Sequence, residues 1–340
     1  MLPYARNEAR DWAAGRFRGV CNVIIPSFVQ DLSDIDEVGI RHDVRLQIER
    51  GFAGFLAVSE TATTAEEYLR FVQIAADEAA GRQLLIHHAS FNTLEENIAL
   101  ANRAAEAGAH LALLSYPPSF YPLSQDDVEN YTRRFCEEVD LAVILFPVPL
   151  WGFERLHPAS LSIDMLERLV DDLPTVVAVK AEGGHPSIAG FTEVWNRLSD
   201  RIIVTMPIEK QAIPLATILP LQVIATSNTE YLGDTAPRML ALAQAGKHAE
   251  AMRLFWQVDP ARRANDRIDA IGSANSVHRM AWKYQAWLNG YNGGPLRMPT
   301  ARLVSDQMRM LRAGLEASGL PVTNDPDEAF FLGRSAALTQ

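Results

Sequence analysis

Short apolar runs recur along the first two-thirds of the chain, and an amphipathic helical pattern follows most of them. The runs are rich in valine, isoleucine and leucine without strict alternation, which is typical of parallel strands covered on both faces. Eight strand–helix repeats predict an α/β fold, a (β/α)8 TIM barrel, because an open doubly wound sheet usually has fewer. The predicted strands are residues 20–25, 53–58, 83–88, 110–114, 141–146, 175–180, 201–206 and 221–226.

The pattern changes after the eighth strand, where helical stretches follow one another without an apolar run between them. Residues 235–245 are predicted to close the barrel. Residues 247–265, 276–289 and 300–318 are predicted to form a C-terminal three-helix appendage. We therefore expect four parts, which are an N-terminal extension (1–17), the barrel (18–246), the helical appendage (247–318) and a tail (319–340).

Composition and charge narrow the class of protein. A hydrophobic content of 48% and a charged content of 21% are ordinary for a globular enzyme. The formal net charge of −11, with no basic run, argues against nucleic acid as a partner. No window approaches the roughly 18 uninterrupted apolar residues of a membrane span, and the first residues lack the apolar core of a secretory signal. A cytoplasmic location without membrane partners is expected.

Lys180 is the most informative candidate for a reacting group. It is the last residue of the five-residue run 176–180, and strand alternation points its side chain into the barrel. Active sites of such barrels lie at the carboxyl ends of the strands. A lysine in an apolar strand loses hydration, and this favours the neutral amine that attacks a carbonyl to form an imine. The local sequence leaves equally open that Lys180 extends to solvent or pairs with Glu182.

Polar and aromatic side chains follow the other predicted strands and are candidates to line the same cavity. Glu60 and Glu182 are the predicted catalytic partners of Lys180. The predicted substrate contacts are Ser59, Thr61, His88, Tyr121, Phe146, Glu209 and Asn228.

Four segments together resemble the dihydrodipicolinate synthase and N-acetylneuraminate lyase family of class I aldolases, over about residues 18–303. Residues 176–180 (VVAVK) are similar to the strand that carries the family's imine-forming lysine. Residues 23–28 (VIIPSF), 226–228 (TSN) and 293–299 (GGPLRMP) resemble the first strand, the end of the eighth strand and the Arg-x-Pro signature. The resemblance implies a lyase with an imine at Lys180, no cofactor, and a homotetramer or homodimer.

The chain also departs from the family pattern at positions that matter for chemistry. The family carries Gly-Thr-Thr-Gly-Glu after its second strand, where pyruvate's carboxylate is held. Residues 59–63 (SETAT) stand there, so Glu60 would repel pyruvate unless it is protonated or paired. The family's proton-relaying tyrosine is replaced by Phe146, which cannot exchange a proton, and Tyr121 is only an approximate match to the fourth-strand loop. These departures predict an activity other than that of a dihydrodipicolinate synthase.

The sequence therefore predicts a lyase of the aldolase or hydratase–aldolase kind, acting on a small carbonyl compound through an imine at Lys180. The family's usual substrate is a 2-oxo acid. Glu60, Glu182 and His88 are candidates to replace the lost tyrosine. We expect Glu60 or Glu182 to take this role, since the pKa of a carboxyl beside an apolar wall and another carboxylate can rise toward neutrality.

Two alternatives come from other classes of protein. A divalent-metal-dependent lyase or isomerase would use Glu60, His87 or His88, Glu182 and Glu209, although no compact ligand motif supports it. A non-catalytic protein that binds a small molecule could also use the same scaffold, because fold alone does not fix function.

Overall fold

The protein is described by a computed structural model that covers residues 2–117, 119–181, 188–271 and 278–338. Eight short strands lie at the centre and their residues are buried almost throughout. The strands are β1 (Gly19–Ile24), β2 (Gly54–Ala57), β3 (Leu84–Ala89), β4 (Leu111–Leu114), β5 (Ala142–Leu145), β6 (Val176–Lys180), β7 (Ile203–Thr205) and β8 (Val223–Ala225).

The strands form one parallel sheet in the order β7-β6-β5-β4-β3-β2-β1-β8, which curves into a barrel. Backbone ladders join every neighbouring pair along this order, including β1 with β8. The two end strands, β7 and β8, meet through a side chain. The hydroxyl of Thr205 donates to the carbonyl of Val223 at 2.9 Å and accepts from the amide of Ala225 at 3.1 Å. The predicted barrel is confirmed, and one threonine bridges its last gap.

Helices surround the barrel and continue beyond it. They are α1 (Ala9–Arg16), α2 (Glu37–Glu49), α3 (Ala65–Ala79), α4 (Leu94–Glu106), α5 (Gln125–Glu138), α6 (Ile163–Asp172), α7 (Ile188–Leu198), α8 (Glu209–Ala216), α9 (Thr235–Gln244), α10 (His248–Gln257), α11 (Asp259–Ile271), α12 (Arg279–Leu288), α13 (Ser305–Ala317) and α14 (Ser335–Leu338). Side-chain oxygens at Thr64, Thr93 and Ser124 accept backbone N–H groups at the starts of α3, α4 and α5. These caps fix where the helices begin after the strand-end loops.

The C-terminal appendage has four helices among the described residues rather than the predicted three. The stretch predicted as one helix, 247–265, is α10 followed by α11, and the break falls at Val258. Pro260 lies in the first turn of α11, where its missing N–H costs nothing, but it could not continue α10. α11 packs so closely on α13 that a Cβ atom at Gly314 would lie only 2.7 Å from the Cβ of Ala264.

The N-terminal extension closes the amino-terminal end of the barrel. Ala9, Ala13 and Phe17 of this segment are fully buried. Arg10 donates from Nε to the carbonyl of Val176 at 3.0 Å, at the start of β6. The hydroxyl of Tyr4 accepts from the amide at the start of β5, 2.7 Å away. The extension is therefore part of the barrel's packing.

The tail packs back onto the appendage. Phe330 is fully buried and contacts the rings of Tyr284 and Trp287 on α12. The carboxylate of Asp327 accepts from the hydroxyl of Tyr284 at 2.6 Å and from Arg312 of α13. Among the described residues, no helix is both long and apolar enough to cross a membrane.

Candidate active site

Lys180 lies at the carboxyl end of β6 and its side chain is buried at the centre of the molecule. The residue is 6% exposed, and its Nζ atom lies 3.7 Å from the centroid of the Phe146 ring, just after β5. The electron-rich face of an aromatic ring attracts an ammonium group. Lys180 therefore does not extend to bulk solvent. Glu182, the predicted partner of this lysine, lies outside the described residues.

Glu60 follows β2 and binds an arginine from the appendage. Its Oε2 atom lies 2.5 Å from Nη2 of Arg279, the first residue of α12, and its Oε1 atom accepts from the hydroxyl of Ser90 at 3.0 Å. Desolvation opposes ionisation of this carboxyl. The charges of His88 and Arg279 and the two hydrogen bonds outweigh it and lower the pKa of Glu60 to about 2. The expectation of a raised pKa is wrong for Glu60, because the sequence did not reveal Arg279.

His88 stands at the centre of a chain of hydrogen bonds that runs across three strand ends. Its Nδ1 atom is 3.3 Å from the amide nitrogen of Ser59 and 3.1 Å from that residue's hydroxyl. An amide N–H can only donate, so Nδ1 accepts and the ring proton is on Nε2, 3.0 Å from the hydroxyl of Ser115. Burial, together with the charges of Arg279 and Lys180, lowers the pKa of His88 to about 4, although the charge of Glu60 acts to raise it. The ring is neutral at pH 7.

His87 points to the opposite side of β3, as strand alternation requires. Its Nδ1 atom lies 2.9 Å from the hydroxyl of Tyr68 on α3, and its ring stacks on Phe91. Burial and the neighbouring His88 lower its pKa to about 3. His87 therefore belongs to the layer between strand and helix, and only His88 faces the interior.

Two polar groups that the sequence singled out are buried without a hydrogen-bond partner among the described residues. The hydroxyl of Thr61 is fully buried after β2, and the amide nitrogen of Asn228 is buried after β8. An unpaired buried donor costs free energy unless a ligand or a water supplies an acceptor. Each of these groups would be paired if a ligand or a water supplied an acceptor.

Glu209 and Tyr121 have surroundings that differ from a simple substrate contact. The carboxylate of Glu209, at the start of α8, receives two hydrogen bonds from Arg262 of α11, at 2.6 and 2.8 Å. Both residues of this pair are more than nine-tenths buried. The side chain of Tyr121 is 78% exposed in the loop after β4. Glu209 therefore neutralises a buried arginine, and Tyr121 faces outward.

The metal-dependent alternative gains no support from this geometry. His87 lies outside the barrel interior, Glu60 binds Arg279, and Glu209 binds Arg262. Within the described ranges, no three His, Cys, Asp or Glu residues come together as a metal site would require. Both cysteines are free, buried thiols whose pKa burial raises to about 12.

Sequence reasoning missed Arg279 and Ser115. Ser115 immediately follows β4, so the rule that placed the other candidates at strand ends could have found it. Arg279 lies 219 residues from Glu60 in the chain, and no local pattern indicates that α12 reaches the barrel mouth.

A parallel eight-stranded barrel with a buried lysine ending its sixth strand is the framework of a class I aldolase-like lyase. Comparison with known proteins gives the family. The sequence model of the dihydrodipicolinate synthetase family matches residues 16–317, and the chain belongs to this family. It is an enzyme of the lyase type, as the resemblance implied.

Individual relatives are distant. The 4-hydroxy-tetrahydrodipicolinate synthase of Methanopyrus kandleri is 24% identical over 314 residues, which cover 90% of this chain and 97% of that protein. Among solved structures, dihydrodipicolinate synthase from Aquifex aeolicus matches with a TM-score of 0.77 at 20% identity, over 91% of this chain and all of that one. N-acetylneuraminate lyase from Fusobacterium nucleatum matches with a TM-score of 0.71 at 17% identity, over 88% of this chain and 98% of that one.

Proposed function

We propose that the protein cleaves or forms a bond next to a carbonyl group through an imine at Lys180. The observation that carries this proposal is the position of Lys180, which is buried at the carboxyl end of β6 beside Phe146. In its neutral form the amine adds to the carbonyl carbon of the substrate to give a carbinolamine. Loss of water then gives the imine, which accepts the electron pair of the bond that breaks.

We propose a small 2-oxo acid as the carbonyl substrate. The unpaired hydroxyl of Thr61 supports this, because it stands at the position where the family holds a carboxylate. The pairing of Glu60 with Arg279 supports it too, since the arginine neutralises the carboxylate that would otherwise repel the substrate. Asn228 offers a second unpaired donor for a substrate oxygen.

The proton relay that Phe146 cannot provide is assigned in this proposal to His88. Glu60 is ionised at neutral pH and therefore has no proton to give, so its role is to fix Arg279 and Ser90. His88 can accept the hydroxyl proton of Ser59 at Nδ1 while Nε2 gives its proton to the hydroxyl oxygen of Ser115. In this relay Ser59 takes a replacement proton from the substrate atom that is deprotonated, and Ser115 gives its original hydroxyl proton to the substrate atom that is protonated. The ring stays neutral throughout, as its low pKa requires. Glu182 stays a second candidate for this role.

Reductive trapping tests the imine directly. The protein is incubated with pyruvate or another small 2-oxo acid and sodium borohydride, and the modified lysine is located by peptide mass spectrometry. We expect a secondary amine at Lys180 and none at Lys283, a second buried lysine whose pKa burial lowers to about 8. Lys180→Ala should lose both the adduct and turnover. Full turnover by Lys180→Ala, or an adduct confined to another lysine, would overturn the proposal.

A homodimer or homotetramer, as the family resemblance implies, is part of the proposal. The strongly exposed Tyr121 and Leu123 after β4 support it, because large apolar side chains are usually covered. The molar mass in solution, measured by light scattering, tests it.

A further inference from the structure

An aromatic cluster borders Lys180 on the side of β5. The centroid of the Phe146 ring lies 3.7 Å from Nζ of Lys180. Trp151, in the segment that follows β5, meets Phe146 at 5.9 Å between ring centroids, with the two planes nearly perpendicular at 86°. It also meets Tyr116, just after β4, at 5.9 Å and 72°. Such edge-to-face contacts are favourable and directional. The remaining members of the aromatic cluster are Phe120, Tyr131 and Phe153.

The polar atoms of the aromatic cluster already have partners within the protein. The hydroxyl of Tyr116 lies 2.6 Å from that of Thr132 on α5. The hydroxyl of Tyr131 accepts from an asparagine side chain of α4 at 2.9 Å. The indole N–H of Trp151 donates to the carbonyl of Phe146 at 3.0 Å. The cluster therefore offers a ligand chiefly the carbon surfaces of its rings.

The unpaired donors of the candidate site follow other strands. The hydroxyl of Thr61 follows β2 and the amide nitrogen of Asn228 follows β8, and neither has a partner among the residues that the structure describes. The strand order places β5 directly beside β6, and β2 and β8 farther away. Lys180 thus has an aromatic side, toward β5, and a polar side, toward β2 and β8. A substrate that fits both sides carries a polar group on one side of its carbonyl and an apolar group on the other.

Trp151 combines contact with Phe146 and a surface that is open to a ligand. Tyr116 and Phe153 are 1% exposed, so their rings belong to the packed interior. Trp151 is only partly buried. Phe120, which is also partly buried, lies farther along the cluster against Tyr116. Trp151 is therefore the ring best placed to meet a ligand bound at Lys180.

We propose that Trp151 selects an aromatic aldehyde, with benzaldehyde as the simplest example, as the partner of the 2-oxo acid. This inference rests on the function proposed above. A phenyl ring packs favourably against an indole, and its burial removes apolar surface from water. A hydroxylated or charged chain in the same place would lose hydration without gaining a hydrogen-bond partner. The aromatic side of the site therefore favours aryl aldehydes over polyol aldehydes.

The aldol addition balances in atoms and protons. Pyruvate condenses with the neutral amine of Lys180 and one water leaves, after which the imine gives a methyl proton to the relay and becomes an enamine. The enamine carbon attacks the carbonyl carbon of benzaldehyde. A carbon–carbon bond forms, and the aldehyde oxygen takes a proton from the relay. Water then hydrolyses the imine, which restores the amine and releases a 2-oxo acid that carries a hydroxyl and a phenyl group.

Competition between two aldehydes tests the proposal. The full chain is incubated with pyruvate and an equimolar mixture of benzaldehyde and glyceraldehyde, and both aldol products are quantified by liquid chromatography and mass spectrometry. We expect the ratio of the two kcat/KM values to favour benzaldehyde by about 10-fold or more. Equal values, or a preference for glyceraldehyde, would overturn the proposal.

Variants separate recognition from the intrinsic reactivity of the two aldehydes. Trp151→Ala should lower the ratio of benzaldehyde to glyceraldehyde about 10-fold, mainly through a higher KM for benzaldehyde, and Trp151→Phe should keep most of the ratio. Trp256→Ala removes an indole that is 62% exposed on α10 and should leave the ratio unchanged. An unchanged ratio in Trp151→Ala, with pyruvate still trapped at Lys180, would overturn the role of Trp151.

Borohydride trapping with pyruvate separates this inference from the function on which it rests. If the unmodified protein forms no adduct at Lys180, the imine mechanism fails and the aldol step fails with it. An adduct at Lys180 without a preference for benzaldehyde overturns only the selection of an aromatic aldehyde.

If Trp151→Ala does not fold, a crystal structure of the unmodified protein decides the question. The phenyl-bearing product is trapped at Lys180 with borohydride before crystallisation. We expect its phenyl ring within about 4.5 Å of the Trp151 indole. A phenyl ring on the side of Thr61 and Asn228 would overturn the proposal.

Discussion

The guanidinium of Arg279 holds the carboxylate of Glu60 across the mouth of the barrel, with 2.5 Å between Nη2 and Oε2. Arg279 begins α12 in the appendage, whereas Glu60 follows β2. Its guanidinium also lies over the ring of Trp282, 4.8 Å from the centroid. The appendage thus supplies a charged group to the candidate site.

The first prediction concerns removal of this arginine. Without the guanidinium, less of the desolvation of Glu60 is offset, so its pKa should rise from about 2 toward its ordinary 4.5. In Arg279→Gln we therefore expect kcat/KM to fall about 10-fold at pH 7 and to decline further below about pH 5. The unmodified enzyme should not show this decline of kcat/KM below about pH 5. Arg263→Gln, at an exposed pair with Asp259, is the control. An unchanged pH profile in Arg279→Gln would contradict the assigned role.

The second prediction concerns the proton relay through His88. His88→Asn should lower kcat about 100-fold or more, because general acid–base groups typically contribute at least that much. Imine formation at Lys180 should persist, so borohydride trapping should still label the variant. Ser115→Ala should behave in the same way, and His157→Asn, away from the site, should not. Loss of trapping together with kcat would show that His88 supports folding or binding instead.

A rescue experiment sharpens this prediction. Phe146→Tyr places a hydroxyl on the ring that lies against the amine of Lys180. If the loss in His88→Asn is a loss of proton transfer, the double variant His88→Asn/Phe146→Tyr should recover part of kcat. No recovery, with trapping intact, would favour Glu182 as the relay.

The third prediction concerns stability in acid. His88 has a pKa of about 4 in the folded protein and an ordinary value of 6.5. A lowered histidine pKa means that the neutral form stabilises the fold above pH 6.5, and this contribution is lost as the pH falls toward 4. Its size is roughly 3 kcal/mol at most. Urea unfolding at pH 7 and pH 4.5 should show a smaller loss for His88→Asn than for the unmodified protein. Equal losses would contradict the buried, neutral ring.

The fourth prediction concerns the buried pair of Glu209 and Arg262, whose side chains are 5% and 4% exposed. Glu209→Gln leaves the guanidinium charge without its counterion and should lower the free energy of unfolding by about 3–5 kcal/mol. Asp259→Asn makes the matching change next to the exposed Arg263 and should cost less than about 1 kcal/mol. Urea titration measures both. A small effect in Glu209→Gln would indicate that a ligand or water compensates Arg262.

The barrel and Lys180 could be predicted because their signals are local. Apolar runs mark the strands, and alternation within 176–180 fixes the direction of the lysine. Alternation also places His87 and His88 on opposite faces, but it does not say which of them faces inward. The break at Val258 had a local signal in Pro260 that the helical period of 247–265 obscured.

The electrostatic character of the site could not be predicted from the sequence. The expected pKa of Glu60 had the wrong direction, since Arg279, which lowers it together with His88, lies 219 residues away. The prediction of Glu209 as a substrate contact did not include Arg262, because this arginine reaches Glu209 from another helix. Long-range ion pairs depend on how the appendage packs against the barrel, and no periodic pattern in the sequence indicates that packing.

The bridge formed by Thr205 has a consequence for how this enzyme could adapt. Every other pair of neighbouring strands is joined through the main chain, so only between β7 and β8 can the circumference change by giving up the contacts of one hydroxyl. Thr205 is also paired in register with Lys180. A wider ring at this point would leave more space beside the amine of Lys180, and evolution or design could thereby admit bulkier ligands without rebuilding the sheet.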